Sequence, residues 1–237
     1  RNLAINFHSQ GNIQDAAKYY QYFIHQGFID LRVFSNYGQI LNDLGKLKEA
    51  ELCLRKAIKL DPDYAIAHLN LGNTLGNLGK LKEAELCLRK AIKLKPDFAE
   101  AHSNLGNILR DLGKLKEAEE STRKAIQLNP DFVNAYFNLG NILNDLGNLQ
   151  EAELYLRKAI QINPNFADAY FNLSLIELIK GNYQSGLDNY EFRFKKNKPY
   201  ITHIKTKLKR VNNEKSQEGE KLLIVSEQGL GDTLQFM

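Results

Sequence analysis

Residue types in this chain return every 34 positions, and that period constrains the fold more than any other feature. The segment Ala65 to Phe98 aligns without a gap on Ala99 to Phe132 and on Val133 to Phe166. Leu71, Leu105 and Leu139 are each followed by glycine; Gly79, Gly113 and Gly147 mark the middle; Ala84, Ala118 and Ala152 come five residues later; Pro96, Pro130 and Pro164 close each unit. Leu31 to Tyr64 obeys the same frame through Gly38, Gly45, Ala50, Ala57 and Pro62. Periodicity of this length predicts a solenoid of helix pairs, an architecture that presents a long surface to a partner.

Each small residue in the unit has a physical reason. Gly72 and Ala84 fall where the two helices of a pair come closest, and a larger side chain would push them apart. Gly79 lies in the turn between helices, where a left-handed backbone is needed. Pro96 stands just past the second helix, which it cannot continue. Leu71, Leu75, Leu81, Leu88 and Ile92 supply apolar faces at helical spacing. In order and spacing these residues resemble the tetratricopeptide repeat (TPR), over roughly residues 1–190, with Phe34, His68, His102 and Tyr136 in place of the usual Trp at the fourth position. The resemblance implies a right-handed α-solenoid of six helix pairs spanning 1–199, in units 1–30, 31–64, 65–98, 99–132, 133–166 and 167–199. The first unit enters at its fifth position with Arg1, and the last is degenerate, with Ser174 for glycine and Gly186 for alanine. A chain that starts inside a repeat and without Met reads as a fragment. Residues 44–60 and 78–94 are identical, which points to duplication.

Composition bounds the function classes. No apolar run approaches the ~18 residues of a transmembrane helix. Cys53 and Cys87 occupy equivalent positions one repeat apart, and helices stacked about 8–10 Å apart hold them too far from each other for a disulfide. Both are expected to be reduced thiols of a cytoplasmic protein. The same spacing argues against His68 and His102 as a metal pair. The charge of +4 is unevenly placed: residues 1–190 balance 22 basic against 22 acidic residues, and 191–237 hold 10 against 6. The stretch with Lys195, Lys196, Lys198, Lys205, Lys207, Lys209 and Arg210 reads as a solvated basic linker (200–220), with phosphate or anionic-lipid contact as the other reading. No nucleic-acid partner is expected, because the basic run is not interleaved with aromatics on a defined surface. The lysines and glutamates of the repeats (Lys46, Lys48, Glu49, Glu51 and their copies) read as a solvated face.

The sixth position of every unit is asparagine: Asn2, Asn36, Asn70, Asn104, Asn138 and Asn172. Three units add another three residues on, Asn73, Asn107 and Asn141. Both positions share one face of the first helix, and in the TPR family that face lines the concave groove. A primary amide donates and accepts at once, so a row of them could clasp the backbone of an extended peptide without reading its sequence. Such a row resembles the asparagine ladder of O-linked N-acetylglucosamine transferases. The other reading is hydrogen bonding between neighbouring repeats. The remaining groove positions lack the Lys/Arg set that would clamp a C-terminal carboxylate.

Past the repeats, Tyr190 to Phe194 forms an aromatic cluster expected to cap the last apolar face. Lys221 to Met237 is different in kind. Leu222 to Val225 signals a buried strand, Gly229 and Gly231 a tight loop, and Asp232 a helix N-cap. Strand, glycine loop and helix start is how a Rossmann-like domain opens, with a helix N-terminus able to receive an anion. Following a TPR array, this segment resembles the heptosyltransferase-like, GT-B group of glycosyltransferases. The resemblance implies that Asp232 is the general base of a truncated domain, and that the intact parent binds a nucleotide sugar. The bland reading makes Asp232 a helix cap only. The chain as given carries no Ser/His/Asp, Cys/His or paired-carboxylate constellation within the repeats, and neither catalysis nor a cofactor is expected of it. The expectation is a protein-interaction module for protein or extended peptide, serving as the recruiting arm of a glycosyltransferase or, alternatively, as a non-enzymatic adaptor or scaffold.

Overall fold

The computed structural model describes residues 2–195, which form six helix pairs: α1 (Asn2–Ser9) with α2 (Ile13–His25), α3 (Leu31–Asp43) with α4 (Leu47–Leu60), α5 (Ala65–Asn77) with α6 (Leu81–Leu94), α7 (Ala99–Asp111) with α8 (Leu115–Leu128), α9 (Val133–Asp145) with α10 (Leu149–Ile162), and α11 (Ala167–Ile179) with α12 (Tyr183–Tyr190). A short 3-10 helix, Glu191–Phe194, follows.

The ends of these helices follow from single residues. The first helix of a pair closes on a glycine with positive φ, as at Gly79 (+74°). The N–H of Lys80, one residue on, then reaches back to the Leu75 carbonyl at 2.9 Å, satisfying a carbonyl the helix leaves free. The second helix closes differently. Asp61, Lys95, Asn129 and Asn163 each precede a proline, which disfavours helical backbone in the residue before it. All four leave the helix with φ between −126° and −144°.

The core is a strip between the two layers. Ala50, Ala84, Ala118 and Ala152 are fully buried, as are Ala57, Ala91, Ala125 and Ala159. Leu54, Leu88 and Leu156 fill the space between them. Thr122 takes that place in α8 and satisfies its hydroxyl on the Ala118 carbonyl, 2.8 Å away. The glycine that follows the seventh-position leucine is where the layers touch: a Cβ built on Gly72 would stand 2.7 Å from Leu88 Cγ.

The backbones of successive first helices approach one another closely from α3 to α11, whereas those of successive second helices do not. The array therefore curves toward the first helices, which form its inner layer. At the far end the 3-10 helix folds back on α11. Phe192 stacks on Tyr170 with centroids 3.8 Å apart, and Tyr190 meets Phe171 at 5.5 Å. Arg193 lies over the Tyr190 and Phe194 rings. This is the aromatic cap that the end of a solenoid requires.

The expected fold class needs one correction. Every element among the described residues is helical, with no strand. The strand, Gly229–Gly231 loop and Asp232 helix start expected at 221–237 lie outside those residues, as does the basic linker at 200–220. A four-residue apolar run with one Gly-x-Gly carries too little pattern to establish an α/β domain beside six helix pairs.

Candidate functional site: the inner face

The second, sixth, ninth and thirteenth residues of each first helix fall on one stripe, since they are spaced by four, three and four. That stripe carries the exposed residues Arg32, Ile66, Asn77, Glu100, Asn107 and Asp111, and it forms the open inner face. Asparagine at the sixth position lies at its centre, half-buried in most units and 8% exposed at Asn70.

From Asn36 onward each of these amides donates to the preceding repeat, and the acceptor changes with what that repeat offers. Asn70 Nδ2 reaches Ser35 Oγ at 3.4 Å and Asn138 Nδ2 reaches Ser103 Oγ at 3.1 Å. Where the fifth position is Leu69 or Phe137 no hydroxyl is present, and the donor turns to the ninth-position amide. Asn104 Nδ2 then meets Asn73 Oδ1 at 2.8 Å, and Asn172 Nδ2 meets Asn141 Oδ1 at 2.7 Å. At the first junction Asn36 donates to Tyr20 Oη, 3.2 Å away on α2. The ladder thus joins repeats, which is one of the two readings the sequence left open. It does not exhaust the amides. Each sixth-position asparagine uses one N–H, and no buried side-chain polar atom among the described residues lacks a partner. The Oδ1 atoms of Asn36, Asn70, Asn104, Asn138 and Asn172 accept no hydrogen bond from a described residue and are therefore not sealed from solvent. Asn107 stands apart: Asn138 bonds to Ser103 instead, so Asn107 is exposed and outside the inter-repeat bonds.

Lower on the same face, Asn77 Nδ2 donates to Asn42 Oδ1 at 2.9 Å, and Arg110 pairs with Asp145. The fourth-position histidines bind backbone, not metal. His68 Nε2 lies 2.9 Å from the Pro62 carbonyl and His102 Nε2 lies 3.1 Å from that of Pro96, so in each ring Nε2 carries the proton. Burial holds the His102 imidazole below its ordinary value. Cys53 and Cys87 are free thiols, and burial pushes both up, away from reactivity. Among the described residues no group of three or more His, Cys, Asp or Glu could hold a metal ion. No helix among them is long and apolar enough to cross a membrane.

On the second helices the sequence reading missed a network. Glu51, expected to be solvated, accepts from Arg55 in its own helix and from Lys80 of the next repeat, at 2.8 and 2.9 Å. Arg55 also reaches Glu83, again one repeat on, at 2.9 Å. The pattern recurs at Glu85, Arg89, Lys114 and Glu117, and in part at Glu119, Arg123 and Glu151. The Lys80 ammonium and then Arg55 hold the Glu51 carboxyl below the usual range; Lys114 does the same for Glu85 and Lys180 for Glu153. The signal was present as Glu and Arg four apart beside a lysine 29 residues on, a spacing visible only once helices are stacked.

Three family models, each describing a tetratricopeptide (TPR) repeat, match residues 38–79 and 106–147, 65–98 and 133–166, and 87–120 and 155–188. Together they run without a break from residue 38 to 188. The chain is a TPR-repeat protein. No curated protein matches this TPR chain. Among solved structures, it is similar to MamA, at 26% identity and a TM-score of 0.58, covering 70% of this chain and 93% of that one. YrrB, described as a TPR protein with an unusual peptide-binding site, is 26% identical with a TM-score of 0.55, covering 76% and 93%. A thermophilic TPR protein of Thermus thermophilus, 20% identical, shares the fold with a TM-score of 0.65 over 75% and 96%.

These matches correct the expected recognition. They describe TPR proteins, and nothing in them brings in a glycosyltransferase. The attached heptosyltransferase-like domain, its nucleotide sugar and the role given to Asp232 are accordingly withdrawn. What stands is a TPR module for protein–protein interaction with an Asn/Ser hydrogen-bond ladder along its inner layer.

Proposed function

We propose that this TPR module is a non-enzymatic adaptor whose inner face holds an extended polypeptide by its backbone. The observation that carries the reading is the open Oδ1 on the sixth-position asparagines from α3 to α11, with the second N–H of the same amide beside it. Asn36, Asn70, Asn104, Asn138 and Asn172 would each accept from a peptide N–H, one per repeat. Asn73 and Asn141 contribute remaining donors, and Asn107 contributes a whole amide. YrrB, the relative described as having a peptide-binding site, supports the reading at 26% identity. Backbone capture suits a scaffold, which must accept partners of differing sequence.

The test uses the one amide with no structural duty. In calorimetric titration of the full chain with unstructured polar peptides, Asn107→Ala should weaken binding severalfold and leave the melting temperature unchanged. Asn104→Ala should lower both. Peptide affinity that is untouched by either substitution, or absent in the unaltered chain, overturns the reading.

A further inference from the structure

Backbone capture leaves open which polypeptide is held, and the distribution of charge between the two layers addresses that question. The five first helices α3, α5, α7, α9 and α11 contain no lysine and two arginines, Arg32 and Arg110. Against these stand six carboxylates, Asp43, Glu100, Asp111, Asp145, Asp168 and Glu177. Every lysine of the helices from α3 to α11 lies instead on α4, α6, α8 or α10, in the outer layer. Two of the six acids are already matched. Glu177 is buried against Arg157 and Asn189, and Asp145 is paired with Arg110. Asp43, Glu100 and Asp111 remain exposed, and no cation among the described residues pairs with them. Glu100 is exposed, and desolvation by the protein around it raises its carboxyl. The three acids occupy the second and thirteenth positions, so they flank the asparagine ladder on both sides along the same stripe.

We propose that the inner face selects a lysine- or arginine-rich extended segment of a partner protein. The partner's backbone follows the amides, and its cationic side chains reach the carboxylates at the two margins. This rests on the backbone-binding reading above and adds a chemical class to it. Opposite charge across an open face contributes chiefly to selectivity and association rate, and salt screens it. Among the described residues of α3, α5, α7, α9 and α11, Arg32 is the only arginine or lysine not already matched to a carboxylate of that layer, so an acidic partner would meet three exposed acids with little to offset them.

The experiment titrates the full chain with three unstructured glycine–serine peptides of about 16 residues, which at roughly 3.3 Å per residue span several repeats. One carries interspersed lysine, one is neutral and one carries glutamate. The lysine peptide should bind about tenfold more tightly than the neutral one at low salt, with the glutamate peptide weakest, and the gap should close at high salt. The double variant Glu100→Gln, Asp111→Asn should remove the lysine preference while neutral-peptide binding persists. If all three peptides bind alike, the charge inference falls and backbone capture stands. If none binds, both fall. Should the lysine peptide bind only after Lys205, Lys207, Lys209 and Arg210 are changed to glutamine, the occupant is the chain's own basic stretch, and a partner segment is ruled out.

Discussion

The inner and outer layers of this solenoid solve the same problem, joining one repeat to the next, with different chemistry. The inner layer uses neutral amides and hydroxyls, Asn70 to Ser35 and Asn104 to Asn73. The outer layer uses ions, with Arg55, Arg89 and Arg123 each spanning two repeats. Curvature accounts for the difference. First helices touch, so short side chains can bridge them; second helices stand apart, and long side chains, chiefly Arg and Glu with Tyr155 at one junction, cross the gap. The division also leaves the inner face free of lysine, which a groove with unmatched carboxylates needs.

The comparison is broken most severely at the last repeat, where an outer-layer cation is turned inward. Leu41, Leu75, Leu109 and Leu143 fill one core position, and in α11 that position is Glu177, with no exposed surface. Arg157 Nη2 holds it at 2.6 Å and Asn189 Nδ2 at 2.8 Å. Arg157→Ala strips a buried carboxylate of its cation and should cost on the order of 3 kcal/mol in urea unfolding. Glu177→Leu restores the residue of the other repeats and should be neutral or stabilising. A loss as large as that of Arg157→Ala would show the pair to be more than a substitute for leucine.

A smaller effect is expected within the inner layer. Asn104→Ala removes one half-buried hydrogen bond between repeats and should cost about 1 kcal/mol, equally at low and high salt.

The outer layer gives the smallest effect and the one most dependent on conditions. Glu85→Gln weakens contacts to Lys114 and Arg89 that are partly exposed, so about 0.2–1 kcal/mol is expected at low salt, shrinking toward zero at high salt. The pH dependence has a definite sign. Glu51, Glu85 and Glu153 have carboxyls lowered in the folded state, by Lys80, Lys114 and Lys180 first and then by arginine. Their contribution is fully present above the ordinary glutamate value of about 4.3 and is lost as pH falls through the depressed folded values. Thermal unfolding of the Gln variant should accordingly differ from that of the unaltered chain near neutrality and converge with it in acid. A gap that persists at high salt or low pH would contradict the division into a neutral and an ionic layer.

The period, the six pairs and the turn glycines were legible in the sequence because each depends on local backbone demands: positive φ at Gly79, or the residue before Pro96. The asparagine row was legible as a row, but its partners were not. Whether Asn104 donates to a hydroxyl or to the Asn73 amide depends on Leu69, 35 residues away, lacking a hydroxyl. The ion-pair network and buried Glu177 were hidden for the same reason, since both are relations between repeats. The glycosyltransferase expectation failed for the opposite cause: a short motif at 229–232 was weighed by its resemblance, with no stacked neighbours to test it.

The alternating acceptors carry a rule of succession. Each inner repeat brings its own donor at the sixth position and at least one oxygen for whatever follows it: Ser35; Asn73; Ser103 and Asn107; Asn141. Any of these repeats could therefore be copied and placed after any other without leaving an amide stranded. The α11–α12 unit keeps the donor, Asn172, but has Phe171 and Leu175 where the socket should be. A repeat stacked on it would have to take its acceptor from the second helix, as Asn36 does from Tyr20 Oη on α2.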